Sequence, residues 1–177
     1  MYPSKHKEIV TSLMDGKFIT ADDRYFDILK ENQDFYTDFF DKSFEFELKG
    51  THEFYHLISQ ETNENTSRDI SIFFSIFCYE LDKDGKNFLD ELSYSEFDIE
   101  EIIEYFKASS WSDIISANKQ LNSEDAIKRI IGTTMVKRNI VVKNSNDKYS
   151  FTKAYKLFID FARDLLKPKQ EIIEGNE

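Results

Sequence analysis

Residues 34–58 read DFYTDFFDKSFEFELKGTHEFYHLI, and a change of period inside this stretch decides the fold. Phe35, Tyr36, Phe39 and Phe40 recur at i, i+1, i+4 and i+5, one stripe of a helix predicted over Asp34 to Lys42. From Ser43 the period drops to two. Phe44, Phe46 and Leu48 alternate with Glu45, Glu47 and Lys49, Gly50 supplies a turn, and His52 to Ile58 reads as the returning strand of a hairpin. Upstream, a helix over about Lys5 to Met14 ends before Gly16, and Lys17 to Ile19 is a short strand. Thr20 with Asp23 then reads as the capping pair of a helix carrying Tyr25, Phe26, Ile28 and Leu29. The order is helix, strand, helix, helix, hairpin.

Downstream the same order is read a second time. A polar linker, Glu61 to Ser67, leads into a helix over Ser67 to Leu81 that is apolar on nearly every side, with Ile72 and Ile76 on a second face. A helix apolar all round must be buried all round, which places this one between the two halves or at a subunit contact. Asp82 to Gly85 ends it. Phe88 and Leu89 read as a short strand, Ser95 and Asp98 as the cap of a helix carrying Ile99, Ile102, Ile103 and Phe106, and Asn122 or Ser123 as the start of another. Ala108 to Leu121 takes no assignment. Asn139 to Val142 and Lys148 to Phe151 form the second hairpin, and a last helix runs from about Thr152 to Leu166, before Pro168. This is the order of tandem winged-helix domains in an α+β, mostly α chain. The expected division is 1–60, an N-terminal winged-helix domain; 67–167, a C-terminal one with an additional terminal helix; and 168–177, a flexible tail. A single α+β domain is the alternative.

The composition supports a packed core: 177 residues, 40% hydrophobic, with 17 Phe and 9 Tyr, exclude collagen-like and disordered classes. The longest uncharged run, Ile70 to Tyr79, is half of the roughly 20 residues a spanning helix needs, so no membrane partner is expected. One cysteine, Cys78, forms no internal disulfide and reads as a packed thiol, in keeping with the cytoplasm. The net charge of −11 is uneven. Residues 1–121 are acidic, whereas residues 122–177 hold 11 Lys/Arg against 8 Asp/Glu, so an acidic body repels polyanions and the last third alone is suited to DNA.

His52-Glu53-Phe54-Tyr55-His56 matches H-E-x-x-H, the zinc peptidase signature. That chemistry needs a helix, where residues i and i+4 converge on one metal. In a strand they lie about 13 Å apart at about 3.3 Å per residue, and the flanking alternation reads as a strand. Zinc hydrolysis is therefore the weakest of three functional readings, and no metal, cofactor or catalytic residue is assigned. Asp82 to Asn87 resembles a calcium loop, but with Asp82 at position 1 the acidic ligands are replaced by Lys86 and Ser93, and with Glu80 at position 1 Asn87 stands where a hydrophobe is usual, so a helix-ending turn is the preferred reading. The remaining signal is basic. Lys128, Arg129, Lys137, Arg138, Lys143, Lys148 and Lys153 face one acid, Asp147, across residues 128–153. In a winged helix they fall on the third helix and the wing, so the first six are the candidate DNA contacts, made to phosphate and largely independent of sequence. A solvated or partner-facing charged surface is the competing reading.

Gly16-Lys17-Phe18-Ile19, Tyr36 to Phe40 leading into Phe44 to Leu48, and the aromatic strand Glu53-Phe54-Tyr55 resemble the MukE and MksE family. So do the helix Ile72 to Leu81, Phe97 to Phe106, Val136 to Ile140, and Lys148-Tyr149-Ser150-Phe151. These are the small tandem winged-helix subunits of bacterial condensin-like complexes. The resemblance implies a non-catalytic subunit of a MukBEF- or MksBEF-type complex that forms a homodimer and binds a MukF- or MksF-like kleisin. Through the kleisin it would reach a MukB- or MksB-like SMC ATPase, engage DNA in the assembled complex, and act at the nucleoid in chromosome organisation or plasmid defence. Phe35, Tyr36, Phe39, Phe40, Ile72 and Ile76 are the candidate partner or dimer contacts, because they exceed what one small winged helix needs for its core; packing within the chain is the competing explanation. A free-standing transcription regulator is the functional alternative, and it would bind duplex DNA as the isolated chain.

Overall fold

The computed structural model describes residues 1–58 and 64–163. The N-terminal half begins with α1 (His6–Met14), which buries Ile9 and Leu13. Gly16 follows its end at φ +77°, where its N–H and that of Lys17 bond back to Leu13 and Ser12. β1 (Ile19–Thr20) begins two residues later than expected and ends one residue later. Thr20 is therefore a strand residue and caps nothing. The Asp23 carboxylate instead accepts from the Tyr25 N–H at 2.9 Å, a local turn that delays α2 to Phe26–Glu31.

α3 (Gln33–Phe44) runs two residues past its expected end, because Glu45 adopts a left-handed conformation and the Phe46 N–H closes on the Phe40 carbonyl. Phe44 is thus helical rather than the first residue of a strand. β2 (Glu47–Gly50) and β3 (Phe54–Ile58) form the hairpin, with β1 on the other side of β3, so the strand order is β1-β3-β2. Gly50 opposes Tyr55, and a Cβ there would lie 2.1 Å from the tyrosine ring, which is why the strand ends on glycine.

The expected linker Glu61 to Ser67 falls partly outside the described residues, at 61–63, and Glu64 to Ser67 are already helical. α4 (Glu64–Lys83) buries Ile70, Phe73, Phe74, Ile76, Phe77 and Leu81. It is not buried all round: Ser75 and Tyr79 are exposed and Ile72 is half-buried, and the helix packs within the C-terminal core. α5 (Phe88–Tyr94) replaces the expected strand at Phe88 and Leu89, since the Asn87 side chain accepts from the N–H groups of Leu89 and Asp90 and starts a helix. α6 (Ile99–Lys107) carries the expected apolar residues but not the expected cap: Asp98 stands at its N-cap without a side-chain hydrogen bond, and Ser95 is extended backbone at the end of α5. α7 (Ser112–Ala117) occupies part of the unassigned segment. α8 (Glu124–Arg129), capped by Ser123, continues through a π-helical turn, Ile130–Met135. β4 (Val141–Lys143) and β5 (Tyr149–Phe151) pair as the second hairpin, and α9 covers residues 155–163; the expected extension to Leu166 and the tail lie outside the described residues.

Phe97 exchanges both backbone hydrogen bonds with Tyr149, at 2.8 and 2.9 Å. It therefore adds a one-residue strand beside β5, and the order Phe97-β5-β4 repeats β1-β3-β2. The chain is α+β and mostly α. It has two cores: a smaller one around Tyr36 and Phe40, and a larger one around Phe73, Phe77 and Phe151. Phe18 and Phe54 belong by sequence to the first half but pack in the larger core, where the Phe18 ring meets Phe158 at 5.9 Å. The Phe18 N–H donates to the Arg138 carbonyl at 2.9 Å, and the Asn139 amide donates to the Phe18 carbonyl at 3.0 Å. Lys156 of α9 holds the Glu53 carboxylate at 2.6 and 2.7 Å.

Candidate nucleic-acid and partner surfaces

Lys128 and Arg129 are exposed on the last turn of α8 and Lys137 on the helical turn after the π segment. The hairpin supplies Lys143, exposed, and Lys148, half-buried. The acids at the start of α6 draw these groups together: Lys128 lies 3.6 Å from Glu100, and Lys148 lies 3.8 Å from Asp98. α8 and the hairpin thus flank one helix end, and a phosphate approaching them competes with two carboxylates. Lys143 is paired with Asp147 at 3.0 Å, a contact that raises its ammonium above the usual lysine range. Arg129 and Lys137 make no ion pair among the described residues.

Arg138 lies elsewhere. It points into the seam between the halves, beside Gly16, where a Cβ would lie 3.6 Å from its Nε. Burial lowers its pKa, and its buried Nη1 has no hydrogen-bond partner among the described residues. The same seam holds His56, whose ring stacks on Phe18 at 5.1 Å. Burial, with the cations of Arg138 and Lys49, lowers its pKa to about 4 against the opposing pull of Glu47, and its Nδ1 is also buried unpartnered. Sequence spacing placed Arg138 with the surface cations; the signal for its position was the Asn139 that follows it, whose left-handed backbone (φ +56°) ends the helix and turns the chain toward Phe18.

The H-E-x-x-H residues are spread along the turn and β3. His52 is exposed in the turn, Glu53 is taken by Lys156, and His56 faces the seam. They do not converge, and among the described residues no three His, Cys, Asp or Glu side chains stand close enough to share a metal ion. In the Asp82–Asn87 loop, Asp84 accepts from the Tyr105 hydroxyl at 2.9 Å, and Gly85 takes φ +76°. Cys78 is half-buried, its thiol pushed up to about 12 by burial.

Of the candidate partner contacts, Tyr36 and Phe40 have no exposed surface and Ile76 is 3% exposed. Each is filled in by the chain's own core. Phe35, Phe39 and Ile72 are half-buried and reach the surface. Beside them stand aromatics that no sequence period groups with them. Tyr2 meets Phe35, and Phe44 and Phe46 extend the row from Phe39. Trp111 sits edge-on to exposed Tyr79 at 5.6 Å.

A family model described as condensin complex protein MksE matches residues 4–163, across both cores. The chain belongs to the MksE family. A comparison with curated proteins finds no significant match. Membership makes the chain a condensin-like complex subunit, and the MksE match includes β1, the seam and both hairpins. Among the described residues, no helix is long and apolar enough to cross a membrane.

Proposed function

We propose that this MksE-family chain is a non-catalytic scaffold in a MukBEF- or MksBEF-type SMC complex. It forms a homodimer, binds the kleisin, reaches the SMC ATPase through it, and contacts DNA in the assembled complex. It works in the cytoplasm at the nucleoid, in chromosome organisation or plasmid defence. The observation that carries this reading is the family match across residues 4–163. The repeated strand order, each time with the third strand in the middle, supports two winged-helix domains, 1–60 and 67–167. In that frame α8 is the helix that meets a DNA backbone and β4–β5 is the wing, which assigns the phosphate contacts to Lys128, Arg129, Lys137, Lys143 and Lys148. Arg138 does not belong to that set; its role is structural, at the seam.

The test is to quantify by mass spectrometry what co-purifies with the tagged chain from its native cells. A kleisin and a large coiled-coil ATPase in fixed ratio are expected; the chain alone, under conditions that preserve other complexes, overturns the reading. Within the recovered complex, the charge reversals Lys128→Glu, Arg129→Glu and Lys137→Glu leave up to three phosphates without a cation. They are expected to weaken DNA retention at least tenfold at moderate salt and to lower the salt slope by about 0.9 for each phosphate no longer neutralised. Unchanged retention at low salt refutes the assigned DNA surface.

A further inference from the structure

The aromatic row of the N-terminal half is continuous. Tyr2 and Phe35 have ring centroids 6.0 Å apart, Phe35 and Phe39 6.2 Å, Phe39 and Phe44 5.8 Å, and Phe44 and Phe46 5.9 Å. The row is not closed over. Tyr2 is 67% exposed and Phe44 40%, while Phe35, Phe39 and Phe46 are half-buried. Neighbouring aromatic surface of this extent is costly to leave in water and marks a binding surface on a soluble chain.

Charge identifies the occupant. On α3, Asp34, Asp38 and Asp41, followed by Glu45, recur at spacings of four, three and four, and all are exposed. That spacing forms a stripe on the helix, next to the Phe35 and Phe39 side of it. Glu47 adds a fifth exposed acid on β2, and the cations of α3 and β2, Lys42 and Lys49, are already paired with Asp38 and Glu47, as is Lys5 near Tyr2 with Glu8. DNA and anionic lipid are repelled by such a rim. A second copy docking by the same face brings like surfaces together about a two-fold axis and sets acidic stripes near one another. What matches both features is a partner with an apolar stripe bordered by Lys or Arg.

We infer that this aromatic row, with its acidic border, is a docking surface for a cationic amphipathic helix from another protein. The partner's apolar side chains lie across Phe35, Phe39 and Phe44, and its cations face Asp34, Asp38 and Asp41. This deepens the reading of α3 as a partner contact and rests on the chain being an assembly subunit. It is separate from the basic surface on α8.

The test uses the full purified chain and a synthetic 18-residue helical peptide with a leucine stripe flanked by lysines, alongside the same peptide with glutamates in place of the lysines. Binding is measured by calorimetry at physiological salt. The lysine peptide is expected to bind at one site per chain and the glutamate peptide not to bind. Phe44→Ala or Tyr2→Ala, both at exposed positions, is expected to weaken the lysine peptide about tenfold. The pair Asp38→Lys and Asp41→Lys is expected to lose it and to accept the glutamate peptide. The pair Asp82→Lys and Asp90→Lys, two exposed acids in the other half, is expected to change binding less than twofold. Equal losses from the two charge-reversed pairs, or no loss with either aromatic variant, overturn the inference. So does sedimentation showing a dimer that Phe44→Ala dissociates, which would make the surface self-associating. Because the test uses no native partner, its failure leaves co-purification with a kleisin and ATPase standing. Failure of co-purification with peptide binding intact would reject the complex and keep the surface.

Discussion

Among the described residues nothing accepts a proton from the buried Nδ1 of His56, so a protonated ring would leave that N–H unpaired. Phe18 covers one face, Arg138 and Lys49 are the cations nearest it, and Glu47 is too weak an opponent to keep it charged. Its folded pKa of about 4 lies below the ordinary value of 6.5, so the unfolded chain binds more protons between those limits and stability falls as the pH drops through that window. From pH 7 to pH 5 the loss from this one group is about 2 kcal/mol; it is absent above about pH 7 and complete below about pH 4. Urea unfolding at pH 7 and pH 5 checks it. The wild type is expected to lose about 2 kcal/mol more than His56→Gln between the two pH values, and equal losses would assign the acid sensitivity elsewhere. The strand argument in the sequence weighs against His56 as a zinc ligand. That it is enclosed by the other half of the molecule depends on a contact more than eighty residues away, which no local pattern carries.

At the scale of elements, α5 shows how a short segment deceives. Phe88 and Leu89 form an apolar pair after a glycine turn, as a strand would, yet Asn87 satisfies two of the free N–H groups of a helix start and seven residues become helical. Asn87→Ala is expected to cost about 1 kcal/mol, read as a lowered urea midpoint with unchanged slope. Asn87→Asp, which keeps the acceptor, is expected to cost far less; an equal loss from both would show that the cap is not what holds α5. The longer periodic elements were legible: α1, α3 and α6 lie within two residues of their apolar stripes, and both hairpins follow their alternation. Phe44 was not, because its alternation with Phe46 and Leu48 straddles a helix end, where the left-handed Glu45 reverses the chain without glycine or proline to announce it. α7 has exposed Ile114 and half-buried Ile115 on a single short helix, too few turns for a period to register. On the candidate surfaces, the exposed cations of α8 were legible from composition. The loss of Arg138 to the seam and the extension of the aromatic row to Tyr2 and Phe46 arise from tertiary contacts.

Across the whole molecule, Phe18 stands at the centre of the joint between two cores of unequal size. Phe18 is 3% exposed and enters the C-terminal core against Phe54 at 5.6 Å and Phe158 at 5.9 Å, while its backbone is pinned to Arg138 and Asn139. The N-terminal core alone has fewer than sixty residues to draw on, a size at which isolated domains are marginal. It should therefore depend on this joint more than the C-terminal core does. Truncating a buried phenylalanine costs about 3–5 kcal/mol, and at this position the cost falls on the contact between halves. Trp111 is the single tryptophan and sits in the C-terminal half beside Tyr79, so its fluorescence reports that half, whereas far-ultraviolet circular dichroism sums the helices of both. In the wild type the two urea transitions are expected to coincide. In Phe18→Ala the dichroism is expected to begin falling at lower urea than the fluorescence, as the N-terminal half melts away from a C-terminal half that persists. Coincident transitions in the variant, however much destabilised, would mean that Glu53–Lys156 and the Asn139 contact couple the halves without the ring. This joint sets the aromatic row of one half relative to the exposed cations of α8 in the other, and loosening it by one side chain would let those two surfaces move independently.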